Sequence, residues 1–235
     1  MTISMFIGAY WGPRQESLES CVCRLHMAFQ TLAAMSPDLA RWHLKAKSRA
    51  AALRHTVDVG DVQQLRDMLL RGQRRDDVGH ALMISLGFSF GLWNGMTDLH
   101  EAAVNGTIGL HSRTTAQSLG NCFLVTLPST FQQSADAAAA GKGLYSLAVA
   151  LGAEWAGIMP RRATAEASFD ARVPQVHWIT FVGRRQVPES RELHIIREAR
   201  GCLVVSGATC EQSLGPRERT AQELYQVSLH REWRR

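Results

Sequence analysis

The sequence predicts an α+β fold, in which a mostly antiparallel mixed sheet is packed by helices and residues 1–235 form a single domain. Three observations predict this fold. Helical and strand-like segments are mixed along the whole chain, and the consecutive strand-like segments in its middle have short connections, which favours an antiparallel meander. The 46% apolar content is enough to bury a core at this length. No internal repeat or low-complexity linker divides the chain.

The first third of the chain is predicted to begin with a strand and to continue with helices. Residues 2–11 are apolar on both faces of an alternating pattern, which indicates a buried strand that Gly12 and Pro13 end. Residues 15–35 carry apolar side chains at intervals of three and four, which predicts an amphipathic helix. The elements that follow are a half-buried strand with a basic outer face at 40–46, a short helix at 50–55, and a helix that Asp61 caps and that ends before Gly72.

The remaining two thirds are predicted to hold most of the sheet. Residues 80–94 and 101–112 are expected to pair antiparallel across a turn at Asn94 and Gly95. The later elements are a strand at 121–128, a helix that ends at Gly152, a strand at 155–159, two or three strands between 174 and 208, and a final helix at 216–232.

The formal net charge of +5 is concentrated in one basic segment. Residues 40–57 contain no acid, and their five cations equal the whole excess: Arg41, Lys45, Lys47, Arg49 and Arg54. One hypothesis is therefore a basic nucleic-acid-binding protein that uses residues 41–54. A surface that stacks on bases needs several aromatic side chains on one face, and Trp42 stands alone in this segment. A half-buried strand with a solvated basic face explains the segment better, so direct contact with nucleic acid is not expected.

Candidate catalytic motifs are incomplete. The stretch GFSFG at 87–91 matches the G-x-S-x-G pattern of serine hydrolases and makes Ser89 the nucleophile of an alternative hydrolase hypothesis. That pattern requires a helix directly after the serine, whereas GLWNGMTD continues as strand and turn, so Gly87 and Gly91 are expected to mark bulges or bends. AAAAGKG lacks the residues of a phosphate-binding loop, and HEAAV lacks the second histidine of a zinc site. We therefore predict no enzyme activity, no cofactor and no metal.

The composition also predicts where the chain resides. No stretch of eighteen residues is free of charges and polar breaks, so a membrane span is not expected. The first residues have no basic region ahead of their apolar part and no small-residue cleavage site, which argues against a secretory signal. Five scattered cysteines fit a reducing compartment better than a disulfide scaffold. A cytoplasmic location is the expectation.

Two stretches carry a family resemblance. FIGAYWGPRQESLESCVCRLHMAF at 6–29 contains Gly8, Tyr10, Trp11 and Gly12, and SPDLARWHLKAKSRAAAL at 36–53 contains Arg41-Trp42 with its basic continuation. Together with Trp93-Asn94-Gly95, these residues resemble the bacterial immunity-protein-52 family of small cytoplasmic proteins encoded beside polymorphic toxins. The likeness is clearest over the first hundred residues.

The resemblance implies an α+β protein without activity of its own that binds and neutralises a cognate toxin. It further implies that this toxin is a nuclease of restriction-endonuclease-like fold, delivered by a contact-dependent system such as type VI secretion. A nuclease has a basic substrate groove, so local acidic patches are the candidate contacts for it, even though the chain as a whole is basic. These candidate partner-binding residues are Asp58, Asp61, Asp76, Asp77, Asp98 and Glu101.

Overall fold

The computed structural model describes residues 4–75, 81–112, 120–161, 170–184, 187–213 and 215–233. These ranges contain ten strands and seven α-helices. The strands are β1 (Met5–Trp11), β2 (Trp42–Leu44), β3 (Thr56–Val57), β4 (Phe88–Trp93), β5 (Ala103–Ile108), β6 (Asn121–Thr126), β7 (Trp155–Pro160), β8 (Ile179–Val182), β9 (His194–Glu198) and β10 (Gly201–Val205). The helices are α1 (Leu18–Met35), α2 (Arg49–Leu53), α3 (Val62–Arg71), α4 (Ser129–Ser134), α5 (Ala137–Leu151), α6 (Cys210–Ser213) and α7 (Pro216–Trp233).

All ten strands join one sheet in the order β3-β2-β4-β5-β6-β1-β7-β8-β10-β9. Every pair of neighbouring strands in it is antiparallel, which confirms the predicted α+β class. The predicted meander corresponds to β4, β5 and β6. Strand β1 lies in the middle of the sheet, where Tyr10 is opposite Cys122 of β6 on one side and Trp155 of β7 on the other. A central strand is buried on both faces, which explains why the apolar pattern of β1 is almost continuous.

The main core lies between one face of the sheet and helices α1, α3 and α5. Phe29 of α1 contacts Trp42 and Phe123 from two strands of this face, with ring centroids 5.8 Å apart in both pairs. Helix α5 approaches α1 closely at Gly143, where an added Cβ would lie 2.6 Å from the Met35 side chain. The AAAAGKG stretch lies inside α5, and its second glycine, Gly143, allows this helix to pack closely on α1.

A second apolar layer covers the opposite face. Helix α7 packs there with Tyr225 and Leu229 against Val182 of β8 and Val204 of β10. Near the middle of the sheet, the Tyr10 ring stacks on Trp155 with centroids 4.5 Å apart. Strands with helices or aromatic side chains on both faces explain the high apolar content. None of the described helices is long and apolar enough to cross a membrane.

A buried ion cluster follows β1 and holds the end of α5. The Glu16 side chain is only 6% exposed, and its two carboxylate oxygens lie 3.1 Å from Arg14 Nε and 2.6 Å from Arg24 Nε. Both guanidinium groups also donate to the last carbonyls of α5: Arg14 to Leu151 at 3.2 Å and Arg24 to Ala150 at 3.4 Å. The cations thus satisfy carbonyls that have no partner within the helix and oppose the negative end of its dipole.

The prediction for residues 80–94 and the turn after it needs correction. Strand β4 begins only at Phe88, because a 3₁₀ turn occupies Ile84–Leu86 and Gly87 takes a φ of +66°. Trp93 pairs with Ala103, so β4 and β5 are joined by residues 94–102 and not by a two-residue turn at Asn94 and Gly95. These residues are called the hairpin loop below.

Candidate functional site

The hairpin loop is held in place by the side chain of Asn94, which is 4% exposed. Its Nδ2 donates to the backbone oxygens of Asp38, at 2.9 Å, and His100, at 2.7 Å. Its Oδ1 accepts from the backbone N–H groups of Met96, at 3.2 Å, and Ala102, at 3.0 Å. One buried amide therefore satisfies four backbone groups and closes the loop on itself and on the segment after α1.

Asp38 is a second anchor of the hairpin loop. Its Oδ2 accepts from Thr130 Oγ1 of α4 at 2.7 Å and lies 2.9 Å from His100 Nδ1. Burial on its own raises the pKa of Asp38, but the hydrogen bonds from Thr130 and His100 outweigh burial and hold this pKa below its ordinary value. The Asp38 carboxylate therefore stabilises the loop at neutral pH, and that contribution is lost as the pH falls through its lowered pKa.

Two of the predicted acidic residues, Asp58 and Asp61, lie beside the start of α3. Asp61 caps α3 as predicted, because its Oδ1 accepts from the backbone N–H of Gln63 at 2.8 Å and of Gln64 at 3.4 Å. These hydrogen bonds lower the pKa of Asp61. Asp58 Oδ1 accepts from the Gly60 N–H at 2.9 Å in the turn before the helix. Both carboxylates thus also have a local role in helix and turn formation.

Two others, Asp98 and Glu101, are exposed on the hairpin loop. Asp98 has a φ of +57°, a left-handed conformation that no other non-glycine residue in the described ranges adopts. The register of β3, β2, β4 and β5 places Asp58 and Glu101 at the same end of the sheet as Gly95, beyond the paired residues of each strand. The structure therefore brings Asp58, Asp98 and Glu101 to one end of the molecule. Asp76 and Asp77 lie outside the described residues.

The basic segment does not form a stacking surface for bases. Trp42 is fully buried, and its Nε1 donates to the Leu39 carbonyl at 3.1 Å. The five cations of the segment are exposed. One of them, Arg49, lies over the Trp93 ring at 5.9 Å from its centroid, and Lys45 donates to Asn105 Oδ1 at 2.6 Å. The predicted half-buried strand is therefore present but shorter than 40–46, since β2 covers Trp42–Leu44 and the exposed Arg41 and Lys45 flank it.

Ser89 is not the nucleophile of a hydrolase elbow. It lies within β4, and the strand continues through Trp93 where an elbow requires a helix. Its hydroxyl is 3.4 Å from Thr107 Oγ1 and 3.4 Å from Arg74 Nε, and no histidine is among its partners in the described part of the chain. This contradicts the alternative hydrolase hypothesis, because Ser89 and Gly91 are paired residues of β4, and only Gly87, before the strand, has the positive φ of a bend.

A metal site is also missing from the described residues. No group of three or more histidine, cysteine, aspartate or glutamate side chains among them is placed to hold an ion. Cys21 and Cys23 belong to α1, where Cys21 is buried and Cys23 is exposed. Burial lowers the pKa of His177 to about 4, so this imidazole is neutral at physiological pH.

Sequence reasoning missed the residues that shape the hairpin loop. Asn94 was part of a turn motif, but its four backbone partners come from positions far along the chain as well as near it. Asp38 stands in a Ser-Pro-Asp helix end that reads as a simple stop. Met96 and Leu99 are two large apolar side chains in a segment otherwise typical of a turn, and both are exposed in the structure. This unusual composition was the sequence signal for a functional loop.

Comparison with known protein families identifies the family of this chain. The model of the family described as immunity protein 52 (Imm52) matches residues 4–205. The chain belongs to the immunity protein 52 family. This match confirms the resemblance carried by the first hundred residues and extends it over most of the chain. Imm52 members are immunity proteins, typically non-enzymatic toxin binders, so the partner of this chain is a cognate toxin.

A solved structure shares the fold of this Imm52 chain. The Pseudomonas aeruginosa T6SS protein PA0821 is similar with a TM-score of 0.56 and 13% sequence identity, over 97% of this chain and 76% of the other. At that identity the likeness concerns the fold alone. No curated protein sequence matches the chain.

Proposed function

We propose that this Imm52 chain binds and neutralises a cognate nuclease toxin, an effector of the type VI secretion system with a restriction-endonuclease-like fold. The protein protects the producing cell from its own toxin and from that of its siblings. It forms a single domain. It acts in the cytoplasm, because the nucleic acid that such a toxin attacks is cytoplasmic. The family match over residues 4–205 carries the proposal, and the similarity to a T6SS protein supports the secretion route.

The acidic candidates belong to this proposal as contacts for the basic groove of the nuclease: Asp58, Asp61, Asp76, Asp77, Asp98 and Glu101. The exposure of Asp98 and Glu101 on an anchored loop supports a role for those two. The net charge of +5 argues against imitation of DNA by the whole surface, because a DNA mimic is strongly acidic. Inhibition therefore depends on a local surface rather than on overall charge.

Co-expression tests the proposal directly. We expect cells that produce the toxin encoded by the neighbouring gene to lose viability, and to recover when this chain is produced with it. Survival depends on leaving almost no free toxin, so nanomolar or tighter binding is expected. A vector that encodes the Glu19→Gln variant, altered at an exposed side chain, serves as a positive control for protection. Equal toxicity with and without the chain refutes the proposal.

A further inference from the structure

An exposed apolar cluster lies where the hairpin loop adjoins α2. Leu53 of α2, Met96 and Leu99 are 43%, 47% and 50% exposed. Leu53 Cδ2 lies 3.3 Å from the position that a Cβ on Gly95 would take, so α2 adjoins the loop. Met96 and Leu99 line one shallow depression of about 300 Å³, together with Arg49, Asp98 and His100. Single exposed apolar side chains are ordinary on protein surfaces, whereas adjacent ones mark interaction sites.

The loop that carries this cluster is fixed before any partner arrives. The Asn94 amide and the Asp38 carboxylate tie it to the segment after α1 and to Thr130 of α4. Asp98, between Met96 and Leu99, has a left-handed φ of +57°, which is uncommon for a non-glycine residue. A loop that is already ordered loses little conformational entropy on binding, which favours high affinity.

The charges around the cluster have both signs. Arg49 lines the depression with Met96 and Leu99 and also lies over the Trp93 ring. The segment of residues 40–57 that contains Arg49 has no acid, and its five cations are exposed. The loop itself adds the exposed acids Asp98 and Glu101, and exposed Asp58 lies at the same end of the sheet. The Asp38 carboxylate is already bound by Thr130 and His100. Both signs of charge therefore border the apolar side chains, so a complementary surface places an acidic group opposite Arg49 and a basic group opposite Asp98.

We propose that Leu53, Met96, Leu99 and Arg49 form the surface that docks the cognate toxin, and that the toxin offers an apolar pocket bordered by an acidic group for Arg49 and a basic group for Asp98. This inference rests on the proposed function and names its contact surface. The apolar side chains then lie at the centre of the contact, where desolvated anchors contribute most to affinity, and Arg49 and Asp98 border them. The immunity protein thus supplies both signs of charge around an apolar centre, which differs from a mimic of DNA.

Binding measurements with matched variants test this surface. The probe is the purified toxin domain encoded by the neighbouring gene, and the measurement is its Kd for the full chain by surface plasmon resonance. Leu99→Asp is expected to weaken binding roughly a hundredfold, because a charge enters the apolar pocket. Arg49→Glu is expected to weaken it at least about tenfold, with a slower association at low salt.

Two controls carry the same changes elsewhere on the molecule. Ile84→Asp replaces a side chain that is 65% exposed at the opposite end of β4, and Lys142→Glu reverses an exposed charge on α5. Both are expected to leave the Kd unchanged, and circular dichroism establishes that every variant is folded. Because Arg49 is exposed and its variant is expected to fold, it tests the surface even if Leu99→Asp does not fold.

The outcomes distinguish a failure of the contact surface from a failure of the proposed function. Unchanged affinity in Leu99→Asp and Arg49→Glu, with the natural chain still binding the toxin, overturns this surface and leaves the proposed function intact. Equal losses in the controls and the test variants also overturn it. If the natural chain does not bind the toxin at all, the proposed function itself fails.

Discussion

Replacing Glu16 with glutamine is expected to lower the free energy of unfolding by about 3 kcal/mol. The substitution keeps the size of the side chain but removes the negative charge between Arg14 and Arg24. The two guanidinium groups then face each other without compensation while they still hold the end of α5. Because these groups are 35% and 27% exposed, the loss lies toward the low end of the range known for buried pairs.

Urea denaturation followed by far-ultraviolet circular dichroism measures this effect. The matched control is Glu19→Gln, since the Glu19 side chain is 69% exposed and lies 4.0 Å from Arg66. An exposed ion pair of this kind contributes about 0–1 kcal/mol, so the control is expected to unfold near the midpoint of the natural protein. Equal midpoints for Glu16→Gln and Glu19→Gln contradict a structural role for the buried cluster.

Replacing Asn94 with alanine is expected to lower the free energy of unfolding by about 3 kcal/mol and to loosen the hairpin loop. The change leaves the Met96 and Ala102 N–H groups and the Asp38 and His100 carbonyls without the amide that now pairs with them. Since Met96 and Leu99 sit on this loop, affinity for the toxin is expected to fall as well. Hydrogen exchange of residues 94–102 measures the loosening.

Asn105→Ala is the control for Asn94→Ala. Asn105 lies on the adjacent strand β5, is exposed, and accepts a hydrogen bond from Lys45 through its side chain. Its loss is expected to change the stability by less than about 0.5 kcal/mol. If both asparagine variants show the same stability and the same exchange in the hairpin loop, Asn94 does not organise the loop.

Much of the fold could be predicted because its elements have strong local patterns. The apolar spacing of α1 and the two apolar faces of β1 each predict their element without any long-range information. The place of β1 between β6 and β7 could not be predicted. It depends on pairing between residues more than a hundred positions apart, such as Tyr10 with Cys122 and Trp155, and the order of segments along the chain does not encode that pairing.

The candidate site was less predictable for a related reason. Asp61 was predicted as a helix cap because capping acts over three residues, and the structure has that cap. The Asn94-Gly95 pair is typical of a tight turn, but here the Asn94 amide binds the Asp38 carbonyl across 56 positions and so shapes a longer loop. Glu16 reads as part of a charged helix start, and its burial appears only when Arg14 and Arg24 meet the end of α5.

The charge pattern had a similar limit. Composition located the basic segment correctly, and its five cations are exposed. It could not show that Trp42 turns into the core while Arg49 lies against Trp93 beside the hairpin loop, because the direction of each side chain depends on the strand pairing of β2. Arg49, one of the cations that suggested nucleic acid, therefore borders the proposed toxin contact.

Titration of the toxin with the purified chain tests the central claim most directly. The rate of DNA cleavage by the proposed nuclease toxin is measured as the folded immunity protein is added. Neutralisation by a tight complex predicts that cleavage falls in proportion to the added protein and stops at about one equivalent. Cleavage that continues unchanged in an excess of the folded chain would contradict the claim that this Imm52 protein neutralises a nuclease by binding it.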